Sequence, residues 1–496
     1  MESYNIKDLA ALMPVIVLVT GGCVLLLSEV FLKSKNREYQ PWLSALFGTI
    51  AAYLSWSNIS EPARDIFGGF GRADPFGAFA AMLICVALVL TSLFAASSLR
   101  ELRSERGEFH ALAQFAAAGM ILLAQTTDLV TLFVALEVLS LATYALTAYL
   151  RNSARPAEAA LKYFVLGSFS SAIFLYGAAL AYGAAGSTRL NDIAKATAVG
   201  SMTPLLFAAL ALITAGFLFK VAAVPFHMWA PDVYEGAPTT VTGFMAAGVK
   251  TAAVAAMIRT LFVAFGSRDA ALGPTGIHGW AGTIAFVAYL TMIGGNLLAL
   301  AQRSVKRMLA YSSISHAGYL LVAVSAGAEA RIRGEATQAA LYYLAAYTFT
   351  ALGAFAVCAA LERRDGPEVD DDTRYDGLAQ RRPALALAMT IFMLSLAGIP
   401  PTAGFAAKLF VFRAALDAKA IGLAVTGVLT SLAGLYYYLR VVVAMYMKPS
   451  AEGAVVPPAR AAMGLGLAIA AVATLAFGIG PGPLAELAKV ASTLGQ

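Results

Sequence analysis

Apolar runs of roughly 18 or more residues, parted by short polar segments, fill the chain near residues 9–32, 41–57, 74–99, 109–125, 128–150, 157–184 and 202–229. Seven more follow near 238–265, 278–300, 305–327, 335–361, 383–416, 420–446 and 461–481. As helix, each run is long enough to cross a hydrocarbon core of ~30 Å. The ~10-residue alternating segments of a membrane barrel do not occur. The pattern predicts an all-α polytopic membrane protein of about fourteen transmembrane helices, forming a single transmembrane domain over residues 1–496.

Composition agrees. Hydrophobic residues make up 59% of the chain and charged residues 13%, against ~25% charged in soluble domains, and the mean hydropathy is +0.73. The first apolar run follows MESYNIKD, which lacks the basic start of a signal peptide, so a retained first span is expected. Loops after odd-numbered spans hold eighteen Lys and Arg, including Lys33, Lys35, Arg37, Arg103, Arg106, Arg151, Arg155, Arg303, Lys306, Arg307, Arg363, Arg364 and Arg460, against ten on the other face. The cation-rich face is therefore expected to be cytoplasmic, with both termini on the opposite side of a bacterial inner membrane. The longest polar segment, ERRDGPEVDDDTRYDGLAQRRP, falls on the cation-rich face as a solvated loop. The net charge of +6 forms no tail or stripe, which argues against nucleic acid as a partner. Cys23, Cys85 and Cys358 stand alone inside apolar runs, without the spacing of a disulfide framework, a zinc site or an iron–sulfur cluster.

Two spans are interrupted. The run from Pro383 to Leu416 would measure about 50 Å as unbroken helix, but Gly398, Pro400 and Pro401 lie inside it, and Pro225 lies inside the seventh span. A proline there removes a backbone donor and clashes with the preceding turn. Broken helices persist in a bilayer where the freed backbone lines a cavity, and in transporters they mark the ion site. The breaks are about 175 residues apart, Lys220 and Lys408 about 190, and Glu137 and His316 about 180. Five spans separate the members of each pair, and a five-helix repeat inserts with opposite topology. The expected organisation is N-terminal helices over 1–108, a first five-helix repeat over 109–265, a second, inverted repeat over 278–446 and a C-terminal helix within 447–496, with helices seven and twelve broken.

Five ionisable side chains fall at or near mid-depth: Glu137, Lys220, Lys250, His316 and Lys408. Each has a bland alternative to weigh. Glu137 alone is compatible with a neutral, hydrogen-bonded acid, and His316, beside Ser312, Ser313 and Ser315, with a satisfied core histidine. An ammonium at mid-depth has no such neutral role. Arg259, Arg413 and Arg440 lie toward helix ends, where snorkelling accounts for them, and Asp128, Asp232 and Glu235 lie at interfaces or in loops as capping or solvated groups. A carboxylate and an ammonium about 4 Å apart attract by ~4 kcal/mol at an effective dielectric of 20, while burial favours the neutral amine. A lysine paired with Glu137 would hold its proton while the pair is closed and release it when the pair opens. The array then reads as a proton relay along the membrane midplane.

At this point three segments also resemble a known family. KVAAVPFHMWAPDVYEGAPTTVTGFMAAGVK, GNLLALAQRSVKRMLAYSSISHAGYLL and LSLAGIPPTAGFAAKLFVF are similar to the antiporter-like membrane subunits of proton-pumping NADH:quinone oxidoreductase, respiratory complex I. Within it Lys408 stands where the M branch carries a glutamate, and the chain ends without the lateral helix of the L branch, which leaves the N branch. The resemblance implies that Glu137 and Lys220 form the gating pair, Lys250 the connecting lysine and Lys408 the terminal proton site, with His227 and His316 as further candidates. The AAK around Lys408 departs from the glycine common before that lysine. The resemblance also implies other membrane-arm subunits as partners, with NADH, FMN, iron–sulfur clusters and quinone handled by or near those other subunits and no cofactor or metal in this chain. Two alternatives stay open here: a subunit of an Mrp-type cation/proton antiporter, and a self-contained carrier for a small organic substrate.

Overall fold

The computed structural model describes residues 6–31, 38–102, 104, 107–150, 153–198, 202–271, 279–362, 372–450 and 461–493. The loop cations Lys33, Lys35, Arg37, Arg103, Arg106, Arg151, Arg363, Arg364 and Arg460, and residues 363–371 of the long polar segment, lie outside these ranges.

The chain folds as a bundle of apolar helices: α1 (Met13–Phe31), α2 (Tyr39–Ser57), α3 (Pro75–Glu101), α4 (Gly107–Gln125), α5 (Leu129–Thr147) and α6 (Ala154–Ala185). They are followed by α7 (Pro204–Lys220), α8 (Trp229–Gly236), α9 (Thr239–Val263), α10 (Trp280–Leu300), α11 (Val305–Ala326) and α12 (Arg333–Leu361). The last four are α13 (Pro383–Ala397), α14 (Ala403–Asp417), α15 (Ile421–Met447) and α16 (Ala461–Ile479). Among the described residues eleven helices are long and apolar enough to cross a membrane, and α7 and α13 are shorter apolar helices that stop at the two breaks.

Local chemistry sets the helix starts. Asp74 caps α3 by accepting from the Gly77 N–H, with Pro75 in the first turn, and Asp128 caps α5 by accepting from Val130 and Thr131. Thr203 does the same for α7 and Ser304 for α11. Burial then sorts the helices. α9 is buried along its whole apolar window, and α3, α11 and α12 nearly so, whereas α1, α6, α15 and α16 turn much of their apolar surface outward. In a bundle whose solvent is lipid this is the expected division between a packed centre and a lipid- or partner-facing rim.

One element has no counterpart in the sequence reading. A short antiparallel hairpin, β1 (Arg64–Ile66) and β2 (Gly71–Ala73), precedes α3. Thr126 and Thr127 hold it by donating their hydroxyls to Phe70 O and Gly69 O at 2.9 and 3.0 Å. Beside it Arg259, at the end of α9, forms a two-pronged ion pair with Asp74 at 2.6 and 2.8 Å and donates Nε to Ala124 O. Both side chains are essentially sealed from solvent. Arg259 was expected to snorkel; it is instead turned inward and neutralised, because Asp74 and the Ala124 carbonyl occupy its fork-shaped donor set. Arg413 behaves as expected, exposed and near Asp417 one turn away.

Candidate functional site

The two helix breaks share one backbone design. In the second, Gly398 takes a left-handed conformation (φ 83°), and the N–H groups of Gly398 and Ile399 return to Ser395 O and Leu394 O. This is the Schellman ending of a helix. In the first break Ala222 stands in the same conformation (φ 58°), and Ala223 N–H returns to Leu218 O. Three residues on, each break has a cis proline, Pro225 and Pro401, the latter joined to Pro400. The N–H of Val224, freed by the break, donates to Thr291 Oγ1 on α10 at 3.0 Å.

Lys220 is the last residue of α7 and is buried. Its ammonium donates to Ser140 Oγ on α5 at 2.8 Å and lies over the rings of Tyr144 and Tyr163 at 5.8 and 5.5 Å. Glu137 sits on the same helix as Ser140, three residues earlier and so on the same face. It is half-buried, its Oε1 is buried without a hydrogen-bond partner, and no ion pair within 4.0 Å joins it to Lys220. The expected pair is therefore open: a hydroxyl and two aromatic faces hold the ammonium, and the carboxylate stands by.

Lys250 reaches across to the second half of the chain. Its Nζ donates to Ser313 O and Oγ on α11 at 2.5 and 2.6 Å and lies 5.0 Å from the Tyr347 ring centre. One turn along α11, His316 Nδ1 is 2.5 Å from the Tyr343 hydroxyl and Nε2 is 3.2 Å from the Tyr438 hydroxyl, which itself pairs with Ser312 Oγ at 2.5 Å. A narrow cavity lined by His316, Tyr347, Thr350, Ser395 and Leu396 leads from this cluster toward the second break. There Lys408, on α14, turns back and donates to Leu396 O, Ala397 O and Ser431 Oγ at 2.8, 3.0 and 2.7 Å, under the Tyr319 ring. It thereby satisfies the carbonyls that α13 leaves unpaired where it ends.

The structure thus gathers hydroxyls around Lys250, His316 and Lys408, sets one small cavity between His316 and the second break, and places Lys220 one serine away from Glu137. His227 lies in the first break itself, half-buried, with Nδ1 unpartnered, and no hydrogen bond links it to the lysines among the described residues. The hydroxyl partners Ser140, Ser313, Ser431, Tyr343 and Tyr438 were missed by charge-based reading. The available signal was a serine three residues from Glu137 and the SSIS run ahead of His316.

Backbone features at and around the two breaks recur at one spacing. Ala222 and Gly398, Pro225 and Pro401, and the helix caps Asp128 and Ser304 are all 176 positions apart (398 minus 222, and likewise for the others). At that spacing Glu137 corresponds to Ser313, His316 to Ser140 and Lys408 to Asp232. The five ionisable residues at mid-depth do not recur at that spacing. Among the described residues, no three His, Cys, Asp or Glu side chains gather in a way that would hold a metal ion.

A helical membrane bundle with two broken helices and buried lysines beside them has the architecture of the antiporter-like membrane subunits. A family model described as NADH:quinone oxidoreductase/Mrp antiporter, TM, matches residues 126–434, and the chain belongs to that family. It is 50% identical over 481 residues to NADH-quinone oxidoreductase subunit N of Myxococcus xanthus, covering 92% of this chain and 91% of the relative. It is 44% identical over 460 residues to the subunit N of Trichlorobacter lovleyi, covering 91% and 90%. Among solved structures, a chain of respiratory complex I from Thermus thermophilus with bound aureothin superposes with a TM-score of 0.80 at 35% identity, covering 96% of this chain and 99% of that one. A chain of the Mrp complex from Dietzia shares the fold at a TM-score of 0.82 and 23% identity, covering 98% and 97%.

Proposed function

We propose that this chain is the proton-translocating membrane-arm subunit of an NADH:quinone oxidoreductase, with Lys220, Lys250 and Lys408 as the groups that take up and release the proton. Glu137 modulates Lys220, and His316 bridges Lys250 and Lys408. Redox chemistry, with NADH, FMN, iron–sulfur clusters and quinone, belongs to other subunits. Two inverted five-helix repeats, over 109–265 and 278–446, supply the two breaks within a fourteen-span bundle. The bundle sits in the bacterial inner membrane with the cation-rich face toward the cytoplasm and both termini on the other side. It is packed against lipid and neighbouring membrane-arm subunits.

The observation that carries the proposal is the kind of partner each lysine has. No carboxylate lies within ion-pair distance of Lys220, Lys250 or Lys408 among the described residues; their partners are hydroxyls, backbone carbonyls and aromatic faces. Such a shell suits both protonation states. An ammonium donates three bonds, and the neutral amine donates two and accepts one. At Lys408 two carbonyls accept in either state, and the Ser431 hydroxyl rotates from acceptor to donor when the proton leaves. A lysine locked to a carboxylate would lack that freedom.

Lys408→Arg tests this in inside-out membrane vesicles carrying the assembled oxidoreductase. Arginine keeps the charge but does not release its proton. NADH-driven acidification should fall sharply while the redox subunits stay assembled. Undiminished proton pumping by Lys408→Arg removes that lysine from the path. Sodium-dependent exchange without NADH oxidation would instead favour an antiporter assembly.

A further inference from the structure

The 176-residue register pairs Lys408 with a residue that plays no part in the relay so far. Asp232 stands ten residues beyond the left-handed Ala222 and seven beyond cis Pro225, as Lys408 stands beyond Gly398 and Pro401. Both lie on the second half of a broken helix, α8 and α14 respectively. The two halves lead to opposite faces. α14 runs toward the face where the 418–420 turn lies, and α8 runs toward the cation-rich loops around Arg155 and Arg307.

Asp232 is also built into a polar mouth. A solvent-open pocket of about 170 Å³ is lined by Arg155, Glu158, Lys162, Asp232, Glu235 and Arg307. Lys162 on α6 holds Asp232 at 3.1 Å and Glu158 at 2.8 Å, while Arg307 on α11 holds Asp232 at 3.0 Å and Glu235 at 2.5 Å. Asp232 is the shared node, gripped by one cation from each half of the chain. Its helix then points inward: Trp229, three residues back and about 4.5 Å lower along the axis, stacks flat on Tyr163 at 4.7 Å, and the Tyr163 ring faces the Lys220 ammonium.

We infer that Asp232 is the proton-loading carboxylate of the first repeat, the inlet counterpart of Lys408, feeding Lys220 past the Trp229–Tyr163 stack. This rests on the relay proposed above. A hydronium proton from the aqueous side is relayed through water in the pocket onto an Asp232 oxygen, and Lys162 and Arg307 then turn to Glu158 and Glu235, the carboxylates each already holds. The proton passes from the carboxylic acid to the neutral amine of Lys220, regenerating the carboxylate and the two ion pairs. The charged and titratable groups facing Asp232 are Arg155, Glu158 and Lys162 from α6, Glu235 from α8 and Arg307 from α11.

The test uses the assembled oxidoreductase in inside-out vesicles, with Asp232→Asn, Asp232→Glu and Lys220→Ala compared for protons moved per electron. NADH-induced infrared difference spectra are taken in the protonated-carboxyl region. Asp232→Asn should lose pumping to the level of Lys220→Ala and lose a carboxyl band present in the unmodified protein. Asp232→Glu should keep pumping with its dependence on the pH of the cation-rich side displaced. If Asp232→Asn moves the full number of protons and keeps the band while Lys220→Ala does not pump, the inlet assignment is overturned and the relay stands. If Lys220→Ala pumps normally, the relay fails and the inlet with it. Should Asp232→Asn assemble poorly, the Asp232→Glu profile decides, and an undisplaced profile overturns the assignment.

Discussion

Lys220 donates to Ser140 Oγ at 2.8 Å, and Ser140 lies three residues from Glu137 on the same face of α5. The serine therefore holds the ammonium beside the carboxylate without letting the two close into an ion pair. A closed buried pair would trap its proton, since separating the charges in a low-dielectric interior costs several kcal/mol. With the hydroxyl as holder, a small movement of Lys220 opens or closes its approach to Glu137.

Glu137→Gln and Lys220→Ala are each expected to depress proton pumping and coupled quinone reduction, with assembly largely intact. Ser140→Ala should lower pumping less than Lys220→Ala, because the lysine remains while its holder is lost. Dye-quench pumping assays on vesicles, normalised to assembled enzyme, rank the three. Equal, normal pumping by Glu137→Gln and Lys220→Ala would remove both from the path.

At the second break, stability and transport should separate. Lys408→Ala leaves Leu396 O without its side-chain donor and Ala397 O with only the Ser431 hydroxyl at 3.2 Å, a loss of ~1–3 kcal/mol for the stranded group. Lys408→Arg keeps donors in reach. The alanine variant should therefore lower the thermal midpoint of the detergent-solubilised assembly more than the arginine variant, although both lose pumping.

The two left-handed residues should respond oppositely to exchange. Gly398→Ala imposes a side chain at φ 83°, and its Cβ would stand 2.9 Å from Lys408 Cδ, so a loss of ~1–2 kcal/mol and a displaced lysine are expected. Ala222→Gly removes the same conformational cost at φ 58° and should be neutral or stabilising. Thermal midpoints of the two variants, with pumping as the second readout, check the asymmetry.

The Asp74–Arg259 pair should be unforgiving of half-removal. Asp74→Asn strands the buried Arg259 charge, at a cost of ~3–5 kcal/mol, whereas Arg259→Met leaves Asp74 with Arg72 at 3.8 Å and should cost less. The double variant Asp74→Leu/Arg259→Met should be less destabilised than Asp74→Asn, even with the α3 cap at Gly77 lost. Thermal unfolding and the fraction of assembled subunit measure both.

Much of this architecture was legible because lipid enforces it. An apolar run of about twenty residues has one solution in a bilayer, and a proline or a lysine inside such a run has few. The cost of an ionisable group at mid-depth singles out Lys250, His316 and Lys408, and the structure buries all three. What stayed hidden depended on neutral groups and on register. Ser140 and Ser313 look like ordinary small residues in a helix, and nothing local in the sequence assigns them an ammonium. Arg259 near a helix end carries the same local signal as Arg413, yet only Arg259 meets a carboxylate, supplied by Asp74 some 185 positions away in sequence. Asp232 reads from sequence as a capping or solvated group, because its 176-position spacing from Lys408 stands out only when Ala222 and Gly398 are aligned by backbone conformation.

Within α9, the residues Met245–Val249 form a π-type turn directly before Lys250. Such a turn holds one residue more than the α-helical path needs. Each residue of an ordinary α-helical turn rotates the chain by about 100°, whereas the wide turn absorbs its extra residue locally and leaves the flanking turns in phase. Deleting one residue within Met245–Val249 would therefore straighten the helix and still leave Lys250 facing Ser313, while deleting one from the α-helical turn before it would use up that slack or swing Lys250 away. The continuity of the midplane line is thus a matter of helical phase as much as of residue identity, and the wide turn is the place where α9 can lose a residue without losing that phase.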